Sequence, residues 1–269
     1  MSDSRFADSD RSTAVDPLGK SPFAPGSPFP EYYRPPPLGI IHLLAWTAAT
    51  AVLLRLSMAM EMIRGDRIPQ GLAIFRQVVY FIYSTAHAAG FVGACVLLLA
   101  KIRRLPGRLQ PGHWLLLIAA LMSLLSLSIE ALDILAGAAG FDGYSVLTWY
   151  LAGLGLVEIL CAGLYLYATL KSKQGKRWRV CFASLAVVNS IQGLLYLGAS
   201  LLDTPASLTF SPFWSLIVGP VLLVTVVLDL RRGPRRDWLH WLGVAILATG
   251  VAVSVAWWVW SIFAIRLME

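Results

Sequence analysis

Residues 146–202 read VLTWYLAGLGLVEILCAGLYLYATLKSKQGKRWRVCFASLAVVNSIQGLLYLGASLL. Two apolar runs, 146–170 and 180–202, flank the basic hinge KSKQGKRWR at 171–179. The first run holds a single acid, Glu158, and the second holds no Asp, Glu, Lys or Arg. A helix of about 20 residues rising about 1.5 Å per residue crosses a hydrocarbon core of about 30 Å, and both runs are that long. Neither alternates apolar with polar residues, and both are about twice the length of a barrel strand. The stretch therefore predicts a helical hairpin that crosses a membrane twice and keeps its charge at the turn.

The same pattern extends in both directions. Apolar segments run at about 38–60, 71–100, 113–136, 146–170, 180–202, 212–230 and 239–265. The predicted fold is an all-α integral membrane bundle of seven transmembrane helices over 38–269. Pro220 lies near the middle of the sixth segment, where a kink is expected.

Composition agrees. The 269 residues are 57% hydrophobic and 14% charged, with a mean hydropathy of +0.68. A soluble domain carries roughly 25% charged residues, so this chain has too few to cover a water-facing surface. An ordinary soluble enzyme, a disordered chain and a disulfide-stapled secreted module are excluded. The net charge of +7 is a matter of position, because 13 of the 22 Lys and Arg residues fall in 101–112, 171–179 and 231–238. The alternate connectors, 61–70, 137–144 and 203–211, hold two between them. By the positive-inside rule the basic connectors face the cytoplasm, the amino terminus is inside and the carboxyl terminus outside. They should attract anionic lipid headgroups, at about 1 kcal/mol per residue. No basic stretch is interleaved with stacking aromatics, so nucleic acid is not an expected partner. The membrane itself is expected to be the cell or cytoplasmic membrane.

Residues 1–37 hold eight of the 15 prolines and repeat Ser-Pro-Phe at Ser21–Phe23 and Ser27–Phe29. Such a segment samples extended polyproline conformations, so it reads as a disordered cytoplasmic tail. A protein that reads proline-rich peptides is the partner it would suit. No connector exceeds about a dozen residues, which leaves no room for a soluble catalytic domain.

Polar groups inside the bilayer are costly and mark candidate sites. At helical spacing, Arg76, Tyr80, Tyr83 and His87 share a stripe of the second segment. Ser123, Ser126, Glu130 and Asp133 share one on the third. Glu158 lies mid-way along the fourth, and Asn189, Gln192 and Tyr196 line a side of the fifth. By depth these residues form two groups. His87, Glu158, Asn189 and Gln192 lie near the midplane, as a polar solute site or proton relay would require; interhelical hydrogen bonding is the alternative. Arg55, Arg76, Glu130 and Asp133 lie toward the outer leaflet, as a charged mouth or as structural ion pairs with snorkelling arginines.

Other features read as packing. His42, His113 and His240 fall near the cytoplasmic interface beside tryptophans and read as headgroup anchors. No second histidine shares the depth of His87, so a haem is not expected, nor is any other cofactor or metal. Cys95, Cys161 and Cys181 lack a Cys-x-x-Cys spacing and read as small hydrophobes. Gly243, Gly250 and Ser254 share a face that admits a close helix, within the fold or from a second copy in a homo-oligomer. The second and sixth connectors share an Arg-Arg and a nearby Pro, followed by His113-Trp114 in one and Trp238-Leu-His240-Trp241 in the other. Together with the basic hinges, this hints at a repeated hairpin. No phosphate loop, zincin motif or nucleophile elbow occurs. The expected role is a non-catalytic scaffold, assembly or sensor component. The alternatives are a carrier or channel for a small solute, protons or ions that uses the midplane cluster, and, behind that, an intramembrane enzyme.

Overall fold

A computed structural model describes residues 38–268 except for 65–69, 104–108, 142, 172–174, 203–210 and 233–235. The proline-rich segment 1–37 lies outside the described residues. Seven helices follow in order: α1 (Ile40–Arg64), α2 (Gln70–Ile102), α3 (Pro111–Ala138), α4 (Gly143–Lys171), α5 (Lys176–Leu202), α6 (Ser211–Arg232) and α7 (Trp238–Met268). Each apolar segment is helical, and the helices run past the ends set by hydropathy except at the start of α1 and at the end of α5, which stops at Leu202 as expected. Backbone hydrogen bonding continues into polar residues that no longer favour lipid. Six of the helices, all but α6, are long and apolar enough to cross a membrane among the described residues. The architecture is that of a multi-pass membrane protein.

The exterior matches that class. Leu156, Leu166, Leu194, Leu223 and Val224 are exposed, as are many other large apolar side chains around the bundle. Apolar surface on this scale is unstable in water and ordinary in lipid. Each of the helices α3 to α6 packs on the next, and α7 closes the group against α2, α3 and α6. Helix α1 stands outside, resting mainly on α2, where the Trp46 indole N–H donates to the Thr85 carbonyl at 2.9 Å.

Glycines set two close crossings. A Cβ on Gly155 of α4 would lie 2.9 Å from the Gly193 carbonyl oxygen of α5, and one on Gly193 would lie 2.8 Å from that of Gly155. At the start of α3, a Cβ on Gly112 would stand 2.0 Å from the His240 carbonyl oxygen, and one on Gly243 would stand 2.0 Å from that of Gly112. Gly243 thus meets α3 within the chain. Gly250 and Ser254, on the same face of α7, line the central cavity.

Helix α3 begins on Pro111, which suits a first helical position because it has no N–H to leave unpaired. It ends in a Schellman motif: Gly140 takes φ 81°, and its N–H and that of Phe141 return to the carbonyls of Gly137 and Ala136. Asp237 precedes helix α7 and caps it, its Oδ1 accepting the His240 backbone N–H at 2.8 Å, an N-cap bond.

Candidate functional site

A cavity of about 380 Å³ lies at the centre of the bundle, bounded by α2 through α7. Its wall includes His87 of α2, Glu158 of α4, and Asn189 and Gln192 of α5, the four residues that depth alone had grouped. Ser123 and Ser126 of α3 and Thr249 of α7 add hydroxyls, while Leu115, Met122, Val218 and Leu247 make an apolar side. The lining starts about one turn into α3, at Leu115, and extends along α3 and α7 to Ser126 and Ser254.

Each polar side chain is held by its own surroundings. The His87 ring stacks on Tyr83 with centroids 5.5 Å apart, and its Nδ1 is hydrogen-bonded to Ser123 Oγ. Ser123 Oγ donates to the Ala119 carbonyl at 2.7 Å. Asn189 Nδ2 donates to the Leu185 carbonyl at 2.8 Å, and Gln192 Nε2 to the Tyr196 hydroxyl at 3.2 Å. These bonds fix rotamers on the cavity wall. Glu158 is 8% exposed and meets no hydrogen-bond donor among the described residues. A buried carboxylate without a protein partner is costly unless a proton, water or ligand completes it.

One consequence is measurable. Because Ser123 accepts from His87 Nδ1, Ser123→Ala should release the ring to its other tautomer. Nitrogen-15 spectra of the histidine ring should then show protonated Nε2 in place of protonated Nδ1. Unchanged ring shifts would show that serine does not set the tautomer.

Arg55, Arg76, Glu130 and Asp133 do not line this cavity. Arg55 lies on α1, Arg76 on α2 and both acids on α3, and α2 packs on each of the other two. Arg55 is exposed and the other three are half-buried, and the Arg76 guanidinium carbon stands 6.0 Å from the centre of the Tyr80 ring.

A second polar cluster was not foreseen. His113 and His240 are fully buried, which corrects their reading as headgroup anchors. Each is the third residue of a helix, and each reaches across to the start of the other. His113 Nδ1 accepts the Gln110 N–H at 3.1 Å, so its Nε2 carries the proton and donates to Asp237 Oδ1 at 3.0 Å. His240 Nδ1 accepts the Gly112 N–H at 2.9 Å, and its Nε2 stands 3.5 Å from Asp229 Oδ2. Arg236 grips Asp229 with two bonds, of 2.9 and 3.0 Å. The Trp178 ring closes the cluster, edge-on to His240 with centroids 5.3 Å apart. The shared His-Trp signature of the second and sixth connectors was the signal for this cluster. It marks two helix starts that fit together.

No family model, curated protein or solved structure matches this chain.

Proposed function

We propose that the chain is a seven-span membrane carrier for a small solute, and that His87, Glu158, Asn189 and Gln192 form its binding site. One observation carries the reading: residues far apart in sequence, on three helices, line a single cavity in the middle of the bundle. Carriers place their sites near the bilayer midplane, between helices that can move against one another. A non-catalytic scaffold, to which sequence alone inclined, gains nothing from an interior cavity or from a carboxylate without a protein partner. In the proposed orientation the basic connectors and the amino terminus face the cytoplasm, in contact with anionic headgroups. The His113–His240 cluster then lies between the cavity and that side.

The test uses the full chain in vesicles loaded with a pH-sensitive dye, under an imposed proton gradient. The wild-type chain should carry protons. Glu158→Gln should abolish that flux at wild-type expression, because the amide keeps the shape and loses the titrating group. Glu158→Leu should in addition lower expression or thermal stability. Equal flux in wild type and Glu158→Gln, or none in wild type, removes the carrier reading.

A further inference from the structure

The hydrogen bonds around the cavity also determine which partners its wall accepts. The Ser123 hydroxyl has one proton, and it goes to the Ala119 carbonyl. In its contact with His87 Nδ1 the serine oxygen therefore accepts, and the imidazole carries its proton on Nδ1. Nε2 is left as an acceptor. One N–H of the Asn189 amide returns to its own helix, as does one of Gln192. No described residue donates to either amide carbonyl oxygen. The Glu158 carboxylate, when ionised, is an acceptor only. The wall thus gathers a carboxylate, an imidazole nitrogen and two amide oxygens beside hydroxyls, such as those of Ser126 and Thr249, that can accept as well as donate, and among its described residues there is no Lys or Arg.

Facing these acceptors is the apolar side made by Leu115, Met122, Val218 and Leu247. A ligand that suits both sides needs several N–H donors, a positive charge and an aliphatic body. A hard metal ion fits poorly, since it wants several oxygen ligands with more than one carboxylate and leaves the apolar side unused. An anion would meet an uncompensated acid. We infer that the cavity binds a small organic ammonium ion, with Glu158 as its counter-ion. The inference rests on the carrier reading for the site, and names the class of solute it takes.

Three six-carbon probes separate the terms: hexylamine, hexanol and hexanoate. Each is titrated at pH 7 into the full chain in lipid nanodiscs, with heats from empty nanodiscs subtracted. Hexylammonium should bind about tenfold more tightly than hexanol, the size of one ion pair worth about 1.4 kcal/mol, and hexanoate should not bind. Glu158→Gln should bring hexylammonium down to the affinity of hexanol, and its thermal unfolding in the same nanodiscs should match wild type, which shows that the variant is folded. Equal affinities for the amine and the alcohol in wild type overturn the inference without any variant. So does a preference for hexanoate, the absence of binding by all three, or an amine preference that survives Glu158→Gln. Glu158-dependent amine binding without proton flux would leave this inference standing and remove the carrier reading. Proton flux without an amine preference would do the reverse.

Discussion

Gly112→Ala should cost the protein about 3 kcal/mol or more, the upper end for forcing volume into a packed interior. The added Cβ would stand 2.0 Å from the His240 carbonyl oxygen and 2.5 Å from its carbonyl carbon. These are backbone atoms of a helix and cannot rotate aside as a side chain can, so α3 and α7 must separate. Separation would also stretch two cross-helix bonds, Gly112 N–H to His240 Nδ1 at 2.9 Å and His113 Nε2 to Asp237 Oδ1 at 3.0 Å. Gly243→Ala meets the Gly112 carbonyl at the same 2.0 Å and should behave alike. Gly93→Ala should cost less, because its nearest obstacle is the Leu116 Cδ2 methyl at 2.6 Å, which can swing away. Gly198→Ala is the control, with nothing within 4 Å of its Cβ. It should be neutral or stabilising by up to about 1 kcal/mol, from helix propensity alone. Thermal unfolding in detergent ranks the four variants. A Gly112→Ala protein that melts with Gly198→Ala would show that the crossing is looser than its geometry.

The helices were legible because lipid demands long apolar runs, and such runs need no knowledge of neighbours. His87, Glu158, Asn189 and Gln192 were legible for a related reason, since polar side chains stand out where hydrocarbon is expected. Their sharing of one cavity was not, because it depends on which helices pack together and sequence spacing carries no such information. His113 and His240 failed in the opposite way. They lie beside basic connectors where polar residues are unremarkable, and depth alone could not tell a buried histidine from an interfacial one. The reciprocal fit required two helix starts, 127 residues apart at Gln110 and Asp237, to meet. The glycines at the crossings were ambiguous for the same cause. Gly243 reads equally from sequence as a seat for some neighbouring helix of the fold or for a second copy, and only the structure identifies its partner on α3.

The second large effect is expected at Asp229 and Arg236. Their side chains are 7% and 6% exposed and are joined by bonds of 2.9 and 3.0 Å. Removing either partner leaves the other charge buried, which costs about 3–5 kcal/mol. Asp229→Asn keeps the shape and removes the charge, so most of that loss should appear without any change in volume. Arg236→Met should lose a similar amount, since the carboxylate would keep only His240 Nε2, 3.5 Å away. The double variant Asp229→Leu with Arg236→Met should recover most of the stability, because a shape-matched apolar pair stands about level with a buried ion pair. The two single losses would then sum to far more than the double loss, the signature of groups that act only together. A single-variant cost under about 1 kcal/mol would place the pair with solvent-screened surface bridges and undo the reading of this cluster as a buried joint. As a buried joint it fixes the end of α6 to the starts of α7 and α3. The connector end of the bundle is thereby tied together across three helices.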